Sequence, residues 1–336
     1  MSALDGGMME PNEAKEGQMP TIDDLLASLP EPLTLGASDV VAALPSPPRQ
    51  VVVIDDHPTG SHSLRDVPVL MAWSPDQISW AMDSGAPAFF IVVSTRALAP
   101  GAAEDRYIEV MNAVLETARV KKREVTIVLR TDSSLRSHFP LDSDIVANAI
   151  EAAGAGTIDG VVIVPAFADA GRMTVDHVHY VSEWPGEYSL IGETRFGREP
   201  RFPFTSSDLR EWVAEKTHGR YLASEVRAIP LRTVRRSPDA VAAELLKARD
   251  GEPIVIDAVT EEDLRAIVLG AITAEGAGRR FVYRVSPPFV RAMIGQEEAA
   301  PVSTAEIDEL RARTGAPDTH GLVVVGTPVP FTRRQL

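Results

Sequence analysis

Seven short segments of the chain are apolar throughout, but for the threonine that opens one of them. They lie at 51–54, 89–93, 126–129, 161–164, 254–256, 281–283 and 322–325. A strand with one face in water alternates apolar and polar residues, whereas a run with no polar member must be covered on both faces. Between most of these runs lie stretches of helical period at 75–82, 103–120, 142–153, 208–217, 240–248 and 261–274. Buried strands alternating with helices predict an α/β fold: an open, mostly parallel, doubly wound (Rossmann-like) sheet with helices on both faces. The 336 residues, 44 % of them hydrophobic, suffice for a sizeable core.

Charge narrows the range of partners. The net charge of −15, from 33 basic and 48 acidic residues, argues against general nucleic-acid binding, which needs a basic footprint. An arginine cluster within that acidic surface still permits an anionic ligand. With no cysteine, disulfide frameworks and thiolate metal sites are excluded, and a cytoplasmic location is expected. Residues 1–20 are polar and glycine-rich without an apolar leader core. No apolar run approaches the roughly 20 residues of a membrane helix. Thr21, with Asp24 three residues on, caps a short amphipathic helix, and the prolines from Pro30 to Pro48 mark a surface linker. The expected division is a flexible tail with a short helix over 1–48, a ligand-binding α/β domain over 49–315, and the start of another domain over 316–336. Ser303 and Glu306 form a capping box for a last helix ahead of the final strand. Residues 165–206 break the alternation and are too long for an ordinary connection, which points to a functional segment.

In open α/β sheets ligands bind beyond the carboxyl ends of the strands. The residues there are Asp55, Asp56, His57, Thr59, Gly60 and Ser61 after the first run, and Ser94 to Arg96 after the second. Arg130, Asp132, Ser133, Arg136 and His138 follow the third, and Gly171 and Arg172 the fourth; Asp257 and Arg284 close later runs. Arg96, Arg130, Arg136, Arg172 and Arg284 offer forked donors for carboxylate or phosphate. Asp55, Asp56 and Asp132 suit sugar hydroxyls, a magnesium ion or proton abstraction. The Thr59–Gly60–Ser61 turn offers backbone N–H groups to an oxyanion. Simpler roles compete: Asp55 or Asp56 as helix caps, Arg130 and Asp132 as a structural ion pair, and His177, His179 and the four tryptophans as packing. No P-loop, dinucleotide fingerprint or nucleophile elbow is present.

These motifs resemble the four-carbon acid sugar kinase family, whose members phosphorylate threonate, erythronate and 3-oxo-tetronate. Asp55 to Leu64 is similar to the family's Asp-Asp-Asp-Pro-Thr-Gly-Thr-Gln-Thr-Val signature, and Arg130 to His138 to its Arg-Ser-Asp-Ser-Thr-Leu-Arg-Gly-His. Pro165 to Arg172 and Gly192 to Phe196 resemble two further family motifs. Gly321 to Thr327 resembles the strand that opens the family's carboxyl-terminal nucleotide domain, with Thr327 the expected cofactor-contacting residue. The resemblance implies the substrate-binding half of an ATP-dependent kinase acting on the terminal hydroxyl of a small sugar acid. Asp55 or Asp56 would orient or deprotonate that hydroxyl. Thr59, Gly60, Ser61, Arg96, Arg130, Asp132, Ser133, Arg136, His138, Gly171 and Arg172 would bind the acid. ATP and Mg2+ would be held mostly by a nucleotide domain in the same or another chain, and a homodimer is left open. His57 in place of the third acid, His62 of Gln, Ser94 of Asn and Ser137 of Gly depart from the pattern. They weaken any magnesium role of the first loop. With no ATP loop before Leu336, this polypeptide is expected to be inactive alone. The competing readings are a non-catalytic sugar-acid binder and a phosphatase or lyase using the acidic loop.

Overall fold

The computed structural model describes residues 21–184, 187–300, 302–314 and 324–326. Eleven strands lie among them: β1 (Gln50–Asp55), β2 (Val69–Leu70), β3 (Ala88–Val92), β4 (Val125–Arg130), β5 (Gly160–Val164), β6 (Arg172–Val175), β7 (Val178–Trp184), β8 (Glu187–Leu190), β9 (Arg227–Ile229), β10 (Glu252–Ile256) and β11 (Phe281–Val285). Eight of these build one sheet in the order β2-β3-β1-β4-β11-β5-β10-β9, with every pairing parallel. The expected fold class is what the chain adopts.

The helices are α1 (Ile22–Leu26), α2 (Ala37–Ala43), α3 (Pro75–Asp83), α4 (Pro100–Lys121), α5 (Leu141–Ala152), α6 (Leu209–Lys216), α7 (Leu231–Val234), α8 (Pro238–Leu245), α9 (Glu261–Gly276), α10 (Pro287–Met293) and α11 (Thr304–Thr314). Successive strand side chains point to opposite faces, which explains the wholly apolar runs. Val51, Val53, Phe90, Val128, Val162 and Ile254 pack under α2, α8, α9 and α10. Val52, Ile54, Phe89, Ile91, Ile127 and Ile163 pack under α3, α4, α5 and α6. Each fully buried aliphatic or aromatic side chain contributes about 1.5–3 kcal/mol, so the two-sided core sets the strand register.

The sequence reading and the structure part in several places. The proline-rich stretch expected as a linker holds α2, and Leu29, Leu33 and Leu35 pack against the core. Arg235 and Arg265 donate to the carbonyls of Pro30 and Leu35. The short strands β2 and β9 carry too little pattern to be read from sequence. Residues 165–206 form a three-stranded antiparallel ribbon, β6-β7-β8, and a loop beyond it. The capping boxes at Thr21 and Ser303 are both formed. Of the strand expected at 322–325, Val324 and Val325 are described and carry no strand; its other residues, like 1–20, lie outside the described ones. Among the described residues no helix is long and apolar enough to cross a membrane.

Trp212 of α6 is fully buried and stacks on Phe139 at 4.8 Å between ring centroids. The Arg284 guanidinium lies over both rings, 4.9 Å from Phe139 and 5.2 Å from Trp212. Trp80, expected as an anchor, is instead exposed on α3. Trp212→Ala is expected to cost about 3–5 kcal/mol of stability through the cavity it leaves. Urea unfolding checks this, and a loss below about 1 kcal/mol would mean that the stack does not support the sheet.

Candidate functional site

The chain leaves β1 toward β2 and β3 on one side of the sheet, and leaves β4 toward β5 on the other. Such a reversal opens a crevice at the carboxyl edge between the two strands. Asp55 and Arg130 end those strands as register partners. Arg130 Nη2 donates to Asp55 Oδ1 and, at 2.8 Å, to the His57 carbonyl. It also lies 3.7 Å from Asp56 Oδ1.

From this pair a series of alternating charges runs outward. Arg96, delivered by the turn after β3, donates to Asp56 at 2.6 Å and lies 3.4 Å from Asp132. Asp132 accepts from Arg136 Nε at 2.5 Å, and Arg136 reaches Glu199 at 3.4 Å. The Ser134 amide and hydroxyl close an Asx turn on Asp132 at 3.0 and 2.7 Å, which aims its carboxylate at the two arginines. Side-chain exposure is at most 6 % at Asp55, Arg130 and Asp56, 15 % and 11 % at Arg96 and Asp132, and 28 % and 35 % at Arg136 and Glu199. The inner members are locked; the outer ones meet solvent.

The ribbon loop closes the other side. Arg136, Arg172 and Arg195 lie 5.2, 5.7 and 4.9 Å from the ring centroid of buried Phe196. Three guanidinium groups thereby gather on one aromatic ring. Gly171, at φ 69°, makes the left-handed turn that delivers Arg172. The Ser133 carbonyl is bonded to His179 Nε2 at 2.8 Å, and His179 Nδ1 pairs with Thr174 at 2.9 Å. Burial pushes His179 down to about 4, so it is a neutral strut between β4's loop and the ribbon. His138 Nε2 bonds the Thr95 carbonyl at 2.9 Å.

Burial pushes the Asp55 carboxyl up to about 6, against the pull of Arg130 and the His57 amide. At Asp132 burial also acts upward, but Arg96 and Arg136 outweigh it and hold the carboxyl well below its ordinary value. Burial, then the charges of Arg96 and Arg130, lower His57. Asp55 Oδ2 is buried without a hydrogen-bond partner in the structure, beside Gly60. A Cβ at Gly60 would fall on the Asp55 carboxylate and the Arg130 side chain, so only glycine lets the turn cross there.

The structure thus brings Asp55, Asp56, Arg96, Arg130, Asp132 and Arg136 into one network, with Gly60, Ser133, His138 and Arg172 at its edges. Other expectations change. Neither Asp55 nor Asp56 caps a helix, and Arg130 pairs with Asp55 rather than Asp132. Two of the three N–H groups of the Thr59–Ser61 turn are consumed by His57, whose ring also bonds the Thr59 hydroxyl at 2.9 Å. Exposed Thr59 and half-buried Ser61 remain as hydroxyl-bearing side chains at the rim. Arg284, taken as a ligand donor, is a core residue that donates to Ser137 and faces Asp142 at 3.5 Å. Asp257 accepts from the amides of His177 and Leu231 and is structural. Thr327 lies outside the described residues. Glu199, Arg195 and Phe196 escaped assignment, although the charge-rich run from Arg195 to Arg201 inside an overlong connection was the available signal.

The sugar-binding N-terminal domain family matches residues 51–293. The chain belongs to that family. Solved structures agree on the fold. A protein described as a candidate tRNA synthase from Salmonella typhimurium LT2 is 18 % identical with a TM-score of 0.54, covering 74 % of this chain and 55 % of its own. A domain of unknown function from Bordetella bronchiseptica, solved with bound citrate as a domain-swapped dimer, is 19 % identical in two crystal forms. Its TM-scores are 0.52 and 0.53, covering 73 % of this chain and 56 % and 55 % of its own. The chain therefore spans little more than half the length of these solved relatives. No curated protein matches it significantly.

A carboxyl whose folded value is raised favours folding below its ordinary 3.8 and loses that contribution as pH rises through about 6. The stability difference between Asp55→Asn and the native chain should therefore shift in the variant's favour from pH 4 to 7. Urea unfolding across that range measures it; a difference constant with pH would contradict the buried-carboxyl account.

Proposed function

We propose that this sugar-binding domain is the substrate half of an ATP-dependent kinase that phosphorylates the terminal hydroxyl of a small, four-carbon-type sugar acid. One observation carries the reading: near its outer end the charge series at the strand crossover reaches a partly exposed arginine, Arg136, whose outward partner Glu199 is held only at 3.4 Å, with Arg172 and Arg195 on the same aromatic ring. In this reading the substrate carboxylate takes the place of Glu199 on Arg136, and Arg172 completes the clamp. Forked guanidinium donors suit a planar carboxylate. Asp132 stays ionised and, with Ser133 and the rim hydroxyls of Thr59 and Ser61, offers partners to sugar hydroxyls. The citrate held by the Bordetella relative, itself a hydroxylated carboxylate, is consistent with such a ligand.

Of the two aspartates, Asp55 is the better proton acceptor. Asp56 is committed to Arg96, whereas Asp55 retains the unpartnered Oδ2 and a value near 6, so that it is ionised at neutral pH. ATP would supply the phosphoryl group and Mg2+ would neutralise its charge. The residues at the acidic loop do not fit a magnesium ion, because Arg130 and Arg96 already balance the charge of both carboxylates and the remaining Asp55 oxygen is buried against Gly60. ATP and Mg2+ are therefore proposed to be held mostly outside this chain, by a nucleotide-binding domain in the same or another polypeptide, in keeping with a cytoplasmic enzyme. Without that domain the chain is expected to bind the acid but not to turn over. The second reading, a binder without catalysis, is favoured by the same tight pairing of Asp55 and Asp56.

Titration calorimetry with threonate and erythronate tests the pocket. Arg136→Ala should weaken binding about 10–100-fold, the value of one charge-assisted contact. Glu199→Gln should tighten it, because the internal competitor is removed. Unchanged affinity in both variants would place the ligand elsewhere. In a longer polypeptide carrying the nucleotide domain, ATP consumption should require the acid and fall in Asp55→Asn. Acid binding without ATP consumption would select the binder.

A further inference from the structure

A second cleft, of about 490 Å3, opens beside this site between the start of α4, the end of α6 and the ribbon loop. Its size is within the range of small-molecule sites. The side chains that give it chemical character are Ser137, His138, Arg201 and Lys216, with Leu98 and Phe202 as apolar walls. In a chain with 48 acidic and 33 basic residues, no carboxylate lines this cleft among the described residues. Among the described residues neither Arg201 nor Lys216 forms an ion pair. Arg201 donates to the Arg96 carbonyl at 3.0 Å and Lys216 to the Pro203 carbonyl at 3.3 Å. Both bonds hold the side chains in place without cancelling their charge. Burial lowers the Lys216 ammonium from its ordinary value, with the Arg284 charge acting the same way, and the pull of neighbouring Glu215 does not offset it.

The cleft adjoins the sugar-acid site through shared backbone. Arg201 holds the carbonyl of Arg96, His138 holds that of Thr95, and Ser137 and His138 directly follow Arg136. An oxyanion lodged here would stand beside a ligand clamped at Arg136 and Arg172. We propose that this cleft is an anion subsite for a phosphate monoester, receiving the phosphoryl group of the phosphorylated sugar acid; this rests on the kinase reading above. Arg201 and Lys216 supply the charge, and the Ser137 and His138 side of the cleft the polar wall. The consequence is retention of phosphorylated acid over the unphosphorylated form, so that product release limits turnover.

Titration calorimetry of the native chain and of Arg201→Gln/Lys216→Gln tests this with inorganic phosphate, erythronate and the terminal phosphate ester of erythronate. Glutamine preserves a donor for each backbone carbonyl while removing the charge. The native chain should bind the ester about tenfold or more tighter than erythronate. The double variant should lose that margin and its affinity for inorganic phosphate, with erythronate binding held within about twofold. Lys216→Arg, which keeps the charge, should keep the margin. Inorganic phosphate needs only the cleft and so separates the two ideas. If the native chain and the double variant bind it equally, or neither binds it, the subsite is wrong whatever erythronate does. If phosphate binds only to the native chain while erythronate binds to neither, the subsite stands and the sugar-acid reading falls.

Discussion

The buried contact between Asp55 and Arg130 is the constraint on which the site depends. It joins two neighbouring strands at the one place where their onward connections diverge, and neither partner can be satisfied by water there. Removing one member of such a pair strands the other charge in a low-dielectric interior, at a cost of about 3–5 kcal/mol. Every further member, Asp56, Arg96, Asp132, Arg136 and Glu199, is placed by its predecessor. The gain in exposure along the series is what would let its outer end, unlike its inner pairs, receive a ligand. Inner pairs are too deeply buried for a ligand to displace, whereas the Arg136–Glu199 contact is long and solvent-facing, where ion pairs contribute about 0–1 kcal/mol.

The ribbon formed by β6, β7 and β8 gives this edge its second wall. It brings Arg172, and the loop after it Arg195 and Phe196, and is pinned to β4's loop by the neutral His179. A sheet edge alone presents groups in a row. The ribbon and its loop add Arg172 and Arg195 to that row, so that three guanidinium groups gather at Phe196 on a protein whose overall charge is strongly negative. Long-range attraction of an acid therefore has to come from this local concentration rather than from the protein as a whole.

How much of this was legible in the sequence differs by element, for physical reasons. The parallel sheet was readable because burial on both faces leaves no polar residue in a strand such as Val51 to Ile54. The strand-end residues were readable because α/β topology directs them to one edge, and Asp55, Arg96, Arg130, Asp132 and Arg136 do meet there. Pairing within the set was not readable: Arg130 and Asp132 are neighbours in sequence but point to different partners. Arg284 was misread because a guanidinium lying over two aromatic rings has the same one-letter signature as one awaiting a ligand. The ribbon was missed since two of its strands span only four residues and polar residues interrupt the longer β7, and α2 because prolines on either side of it masked a single apolar face.

The central claim is that the outer end of the charge series is where an acidic ligand binds. A crystal structure of the chain with bound erythronate tests it most directly. The account predicts the ligand carboxylate on Arg136 and Arg172 above Phe196, with Glu199 displaced and the Asp55–Arg130 contact intact. A ligand found at the opposite edge of the sheet, or Glu199 still paired with Arg136 in the bound state, would contradict it.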